Sequence, residues 1–323
     1  PDGGAISPPD SPAPAQDAPP VNEPEVLGAT PADPITNPVA SSDPITIRWS
    51  GPLDVRPLPA PVLELAHNDF FLRLTAPPGA VRFADAESRA VATGDALEYA
   101  ATRREGALEA AAPLGATIDA PDSGVARARR FELSLATGRI HVPSAGVIAA
   151  VRDASPTDLP ASNRTLAWAS EADFDFAVEA GRVTTRLAEV RAQGDVELSD
   201  GVGSLAGDSL TAAFARVDRD RSVIARLVML GGARGRDGAG GTLAGDTLSI
   251  TFADAATLPT PDAQPDPTLL VATGDVRAER DDASLAARHL EATLGRVDGD
   301  LAATGVVATG DVAYAAADGA TAR

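Results

Sequence analysis

The sequence predicts an all-β fold of repeated antiparallel strands, and three observations carry that prediction. Apolar and polar residues alternate in Ile45-Thr46-Ile47-Arg48-Trp49, Phe131-Glu132-Leu133-Ser134-Leu135 and Phe174-Asp175-Phe176-Ala177-Val178. Period-2 alternation gathers one set of side chains on one face, as a half-buried strand requires. Tight-turn dipeptides fall between such runs, at Asp200-Gly201, Asp237-Gly238, Asp298-Gly299 and Asp318-Gly319, where Gly supplies the positive φ of a short hairpin. The third observation is a repeat. Leu-Ala pairs begin at Leu205, Leu243 and Leu285, in steps of 38 and 42 residues, and Leu210, Leu248 and Leu290 follow each pair at the same spacing.

Along the chain, residues 1–44 come first and read as a disordered linker. Pro8-Pro9, Pro12, Pro14, Pro19-Pro20, Pro24, Pro31, Pro34, Pro38 and Pro44 interrupt them, and their apolar side chains follow no period. Such a segment buries too little surface to offset the entropy of ordering, so an extended tether is expected. The sequence opens on Pro1 and stops at Arg323 in mid-repeat, which leaves room for a signal or membrane tether ahead of residue 1.

A first β module is expected over 45–158. Its Ala-rich stretch from Asp85 to Ala101 has helix-forming composition, but Gly94-Asp95 interrupts it and Val91, Thr93 and Tyr99 suit a strand. The Pro-containing segment Ser155–Asn163 reads as a boundary. A second β module follows over 164–323, and its units align at Gln193-Gly194-Asp195-Val196, Leu230-Gly231-Gly232-Ala233 and Thr273-Gly274-Asp275-Val276, with a fourth opening at Thr309-Gly310-Asp311-Val312. Each unit reads as two strands. In the first unit these are Ala188–Leu198 and Leu205–Phe214, with the next strand at Val223–Leu230.

Composition narrows the chemistry. Aromatic residues make up only 4% of the chain, so the core must be built from Val, Leu, Ile and Ala. The absence of cysteine excludes disulfides, Cys-zinc sites and thiol catalysis. The net charge is −19 and all 27 basic residues are Arg, which argues against a nucleic-acid partner. No run of apolar residues is long enough to span a bilayer as a helix.

Several features invite a chemical reading, and each has a plainer one. Gly-Asp dipeptides occur at Gly94, Gly194, Gly207, Gly245, Gly274, Gly299 and Gly310. A calcium β-roll needs a nonapeptide period, so bulges or bends with solvent-facing Asp are expected instead. His67, His141 and His289 have no second ligand at metal spacing, and His67-Asn68-Asp69 reads as a loop capping a strand. With no nucleophile elbow, no phosphate loop and no distinctive carboxylate pair, no catalytic residue, cofactor or metal is expected. Arg127, Arg129 and Arg130, and Arg103-Arg104, form the densest basic patches and read as solvated faces.

The repeat unit resembles a known family. The pattern Ala/Val-x-Ala-x-Gly-Asp-Val, a hairpin, then Leu-Ala-Gly-Asp-x-Leu-x-x-x-Phe is similar to the OstA-like (LptA/LptC-type) lipopolysaccharide-transport domain. Here it is carried by Val190–Leu198 with Leu205–Phe214, Met229–Gly232 with Leu243–Phe252, and Val271–Val276 with Leu285–Leu294. It covers the chain from about residue 165 onward and is weaker over 81–150. The resemblance implies an open, twisted β-jellyroll, or β-taco, with two strand walls around an apolar trough. It also implies a periplasmic or cell-envelope location, lipopolysaccharide or another acylated lipid as partner, and edge-strand stacking with other OstA-like proteins. The scarcity of aromatics and the acidic balance depart from the family.

On that reading the lipid-contacting residues are Val190, Val196, Leu198, Leu210, Phe214, Leu227, Met229, Leu248, Ile250, Phe252, Val276, Leu290 and Val306. Burying acyl methylenes contributes about 0.8 kcal/mol each, so tails bind without specific polar contacts. For every one of these residues a dry core position is the alternative. A non-catalytic structural spacer of the cell envelope is the competing function.

Overall fold

The computed structural model describes residues 46–57, 70–84, 90–100, 103–111, 115–120, 124–150, 164–218, 221–260, 263–316 and 321–322. They are antiparallel strand almost throughout, and among them the one helical segment is a 3-10 turn at Ala255–Thr257. The expected linker, His67-Asn68-Asp69 and the boundary at Ser155–Asn163 lie outside the described residues.

Short strands come in pairs at first: β1 (Thr46–Arg48) and β2 (Leu53–Pro57), β3 (Phe70–Thr75) and β4 (Val81–Ala84), β5 (Val91–Gly94) and β6 (Ala96–Ala100), β7 (Glu105–Glu109) and β8 (Ala116–Ala120). The pairs continue with β9 (Gly124–Ala128) and β10 (Arg130–Ser134), β11 (Arg139–Val142) and β12 (Gly146–Ala150), β13 (Arg164–Trp168) and β14 (Glu171–Glu179). Single long strands follow: β15 (Arg182–Ser199), β16 (Ser204–Arg216), β17 (Ser222–Arg236), β18 (Thr242–Phe252), β19 (Pro267–Arg280) and β20 (Ala283–Val297). The chain ends on β21 (Asp300–Thr309), β22 (Ala313–Ala315) and β23 (Thr321–Ala322).

Hydrogen-bond register sorts these strands into two antiparallel ladders. Wall A runs β1–β4–β5–β8–β9–β12–β13. Wall B runs β2–β3–β6–β7–β10–β11–β14. β15 joins both, because its residues 182–193 pair with β14 while its residues 197–199 pair with β13. From there β15 to β20 each cross from one wall to the other, and β20 hands wall B to β21 and wall A to β22. A pair of short strands is the same crossing interrupted by a turn. The ladders run unbroken from β11 and β12 into β13 and β14, and Ser42–Arg323 form one compact unit. Among the described residues no pairing joins the first strands to the last, so the sheet is open.

The crossing point explains the Gly-Asp dipeptides. Between Gln193↔Ser209 and Val196↔Gly207 the register slips, so Gly194-Asp195 oppose Asp208 alone. Gly231-Gly232 oppose Asp246, and Gly274-Asp275 oppose Arg288, in the same way. Each is a β-bulge, which bends its strand sharply and strengthens the local twist. Gly231 and Gly274 have φ of +76° and +98°. A Cβ on either would lie 2.6 Å from the Cβ of Asp208 or Asp246 respectively, so only glycine fits both the dihedral and the space. In the earlier part Asp95 and Arg129 occupy the same crease, with Asp95 N donating to Glu109 O at 2.8 Å and Ala110 N to Arg129 O at 3.0 Å. The strands of the repeat are longer than their alternation suggests because they continue through this crease.

Folding at the crease brings the inner faces together. The Trp168 ring on wall A lies 5.8 Å from that of Phe174 on wall B, and Met229 on wall B packs over Gly207 on wall A. One core cluster accordingly draws on both walls, from Leu108 and Phe131 through Val196 and Met229 to Val276 and Leu290. Hairpin tips close through pairs of residues at positive φ, as at Ala180-Gly181 (+48°, +75°) and Asp298-Gly299 (+55°, +96°).

Candidate functional site

Cross-strand register lines up inner-face residues in rows parallel to the crease. The row of wall B next to the crease reads Ala172, Ala192, Leu210, Met229, Leu248, Ala272 and Leu290, and all of these are buried. Wall A contributes Val196, Ala233 and Val276 beside it, again fully buried. The bottom of the V is therefore packed protein.

One step up from the crease, wall B stays buried except at Ile250, Leu270 and Val306, while the leucines of wall A are only half-buried. On wall B the next row is Phe174, Val190, Ala212, Leu227, Ile250, Leu270, Ala292 and Val306. On wall A it is Leu166, Leu198, Leu205, Gly235, Leu243, Ala278, Leu285 and Tyr314. From Leu198 to Tyr314 the wall-A row, with Leu227, Ile250, Leu270 and Ala292 of wall B, lines an open cavity of about 680 Å³, mainly with aliphatic side chains. Its volume falls in the range of about 300–1,000 Å³ typical of ligand sites.

The thirteen sequence-predicted residues divide among three places. Leu198, Leu227, Leu248, Ile250, Phe252 and Leu290 line the cavity together. Val196, Leu210, Met229 and Val276 are buried in the core below it, Val190 is buried in the upper row of wall B outside the cavity lining, and Phe214 is a half-buried residue packed against the core. Val306 keeps the upper-row register opposite Ala292 but is 56% exposed, because among the described residues β21 has a wall-B neighbour on one side only. Cavity residues outside those thirteen include Leu205, Leu243, Leu285, Leu270 and Leu294, with Gly235 and Ala278 between the wall-A leucines. The recurring Leu-Ala pair of the repeat is the signal for Leu205, Leu243 and Leu285, the upper-row residues of wall A.

Family models, curated proteins and solved structures give no match to this chain. The geometry is what bears on function.

Charged groups cluster away from the trough interior. On the outer face of wall B, Arg139 donates to Asp175 at 2.6 and 3.2 Å, Arg191 reaches the same carboxylate at 2.6 Å, and His141 Nδ1 lies 3.0 Å from Asp173. The hydrogen bonds that Arg139 donates to Asp175 hold the pKa of its guanidinium above the ordinary value. These are cross-strand neighbours in register, which is how opposite charges support a sheet. Arg130 is likewise bound to Glu132 at 2.7 Å and Glu109 at 3.2 Å, so it is a paired cross-strand side chain of the wall. Among the described residues no group of three or more His, Asp or Glu side chains is placed to hold a metal.

Two further charged features frame the walls. Arg186 of β15 is buried at 7% exposure, ion-paired to Glu179, with its Nε lacking a hydrogen-bond partner. Arg296 grips Asp266 through two hydrogen bonds of 2.7 Å, and the arginine's hydrogen bonds hold the Asp266 carboxyl below the usual range. That pair ties the start of β19 to the end of β20, beside Pro267 and Leu294 of the cavity lining.

Proposed function

We propose that the chain is a non-catalytic lipid carrier of the cell envelope, shielding acyl chains in the cleft between its two strand walls. This is the class of activity implied by the resemblance to lipopolysaccharide-transport domains. The observation that carries the reading is the cavity itself. A closed spacer would fill its upper rows with side chains, whereas here Gly235 and Ala278 stand between leucines above a crease that is already packed. An aliphatic cavity recognises methylene chains through the hydrophobic effect, which needs shape and dryness more than polar partners.

A periplasmic location, and association through the outer strands β2 and β21, belong to the same proposal. Both strands carry exposed apolar side chains, Leu53 and Val55 at one end, Leu301 and Val306 at the other, and each has an unpaired edge among the described residues. Unpaired edges template pairing with another chain.

The test is a titration of delipidated protein with a fluorescent fatty acid. Saturable binding is expected, and Ile250→Asp, which places a carboxylate in the cavity lining, abolishes it. Absence of saturable binding in the unmodified protein returns the molecule to the spacer reading.

A further inference from the structure

Resting on the carrier reading, we infer that the cavity is a slot blind at its β15 end. It takes an acyl chain lengthwise, with the methyl end against Leu198 and Leu227 and the polar end at β21 and β22. In chain order the lining starts at Leu198 of β15 and ends at Tyr314 of β22. Six strand pairings of wall A separate those two residues. At about 4.8 Å per pairing the slot is about 29 Å long, and about 680 Å³ spread over that length leaves a mean cross-section of about 23 Å². Such a shape admits an extended chain and excludes a compact ligand of equal volume.

The closed end is built from the scarcest side chains of the sequence. Trp168 and Phe174, from opposite walls, are 3% and 7% exposed with their rings 5.8 Å apart. Val190 and Ala212, beside Phe174 in the upper row, are sealed with them. Four cross-strand pairs stand just outside a register shift of wall B: Phe176↔Leu187, Phe214↔Ile224, Phe252↔Pro267 and Leu294↔Ala303. The first two pairs pack onto the core, whereas all four residues of the last two line the slot. Equivalent positions therefore plug the space between the walls up to β17 and border open space from β18 onward. One of the two tryptophans and three of the eight phenylalanines lie in β13, β14 and β16, and each ring fills volume that a chain would need.

The opposite end is wet. Leu301 of β21 and Tyr314 of β22 line the slot and are 47% and 40% exposed, and among the described residues no strand of wall B lies beyond β21. A polar head group set among the rings of the blind end would lose its water without gaining partners, which is costly; at β21 and β22 it keeps that water. The lipid therefore enters and leaves by this end, and the rings at the other end limit the length of chain that the slot shelters.

The experiment uses the full chain, delipidated, and saturated fatty acids of increasing length. Each methylene taken into the slot tightens binding about fourfold, so affinity is expected to rise with length and level off where the methyl end meets the rings. Leu198→Trp brings the blind end forward: the longest acids lose at least about tenfold in affinity and the shortest are unchanged. Phe174→Ala moves it back, and the levelling-off shifts to longer acids. A cooperative urea transition shows that each variant has folded, and either variant alone decides. A diazirine at the methyl end of the acid is expected to label Leu198 or Leu227, and one beside the carboxylate Leu301 or Tyr314. Reversed labelling, carboxylate-side labelling at the wall-A tips Gly203-Ser204 or Gly241-Thr242, a loss on Leu198→Trp equal at all lengths, or a levelling-off that neither substitution moves overturns the blind-end assignment while leaving the carrier reading standing. Failure of every acid to bind removes the carrier reading itself.

Discussion

Replacing Gly274 by alanine tests the crease, because that residue violates two requirements of ordinary side chains at once. Its φ of +98° costs an L-residue about 1–2 kcal/mol. Its new Cβ would overlap the Asp246 carboxylate and lie 2.6 Å from the Asp246 Cβ. A rotamer change of Asp246 cannot relieve the second contact, since Cβ does not move with χ1. The backbone must shift, and overpacking of this kind costs about 1–3 kcal/mol more. Gly240 supplies the control, with a φ of +90° and nothing within 4 Å of its Cβ position. Gly240→Ala therefore bears the dihedral cost alone. Urea unfolding followed by circular dichroism reads both, and Gly274→Ala is expected to lose about 1–3 kcal/mol beyond Gly240→Ala. In an Asp246→Gly background the excess disappears. Equal losses at the two glycines would mean that the bulges do not bring β18 and β19 into the close approach described, and the creased-wall account would be wrong.

Three further outcomes follow from other parts of the molecule. Arg186→Met is expected to leave stability unchanged or raise it, whereas Glu179→Ala lowers it by about 1–3 kcal/mol, because only the second leaves a buried cation without its partner; thermal unfolding of the two variants decides. The lowered Asp266 carboxyl contributes stability that is present above the unfolded pKa of about 3.9 and lost as pH falls through the folded value. Asp266→Asn should accordingly flatten the acid limb of the stability curve below about pH 4 by no more than about 1 kcal/mol, since the pair is largely exposed; unchanged acid unfolding in the variant contradicts that linkage. Met229→Asp, at a core position 1% exposed, should abolish folding, while Val306→Asp at 56% exposure costs less than about 0.5 kcal/mol, as urea midpoints will show.

Much of the architecture was legible in the sequence. Alternation at Phe131–Leu135 and Phe174–Val178, the turn dipeptides and the Leu-Ala repeat all speak of antiparallel hairpins, and the strands are where those signals lie. The glycine-aspartate pairs read as bulges or bends, which is what Gly194-Asp195 and Gly274-Asp275 are. What local pattern did not disclose is the depth of each side chain in the V. Leu198 and Val196 have the same parity, yet one lines the cavity and the other is sealed in the core, because depth depends on distance from the crease. Val306 has the parity of a groove residue too, and is exposed because β21 is paired along one edge. Parity fixes the face of a strand; only the crease position and the neighbouring strands fix what that face meets. A pattern of apolar residues does not mark Gly235, because a cavity is defined by side chains that are missing.

The most direct measurement is photo-crosslinking from adjacent positions of β19 in whole cells. Leu270 lines the cavity, while Val271 points the other way by strand alternation. A photoreactive residue at 270 should capture lipid and one at 271 should not. Capture at neither position, or equal capture at both, would contradict an acyl chain held between the two walls.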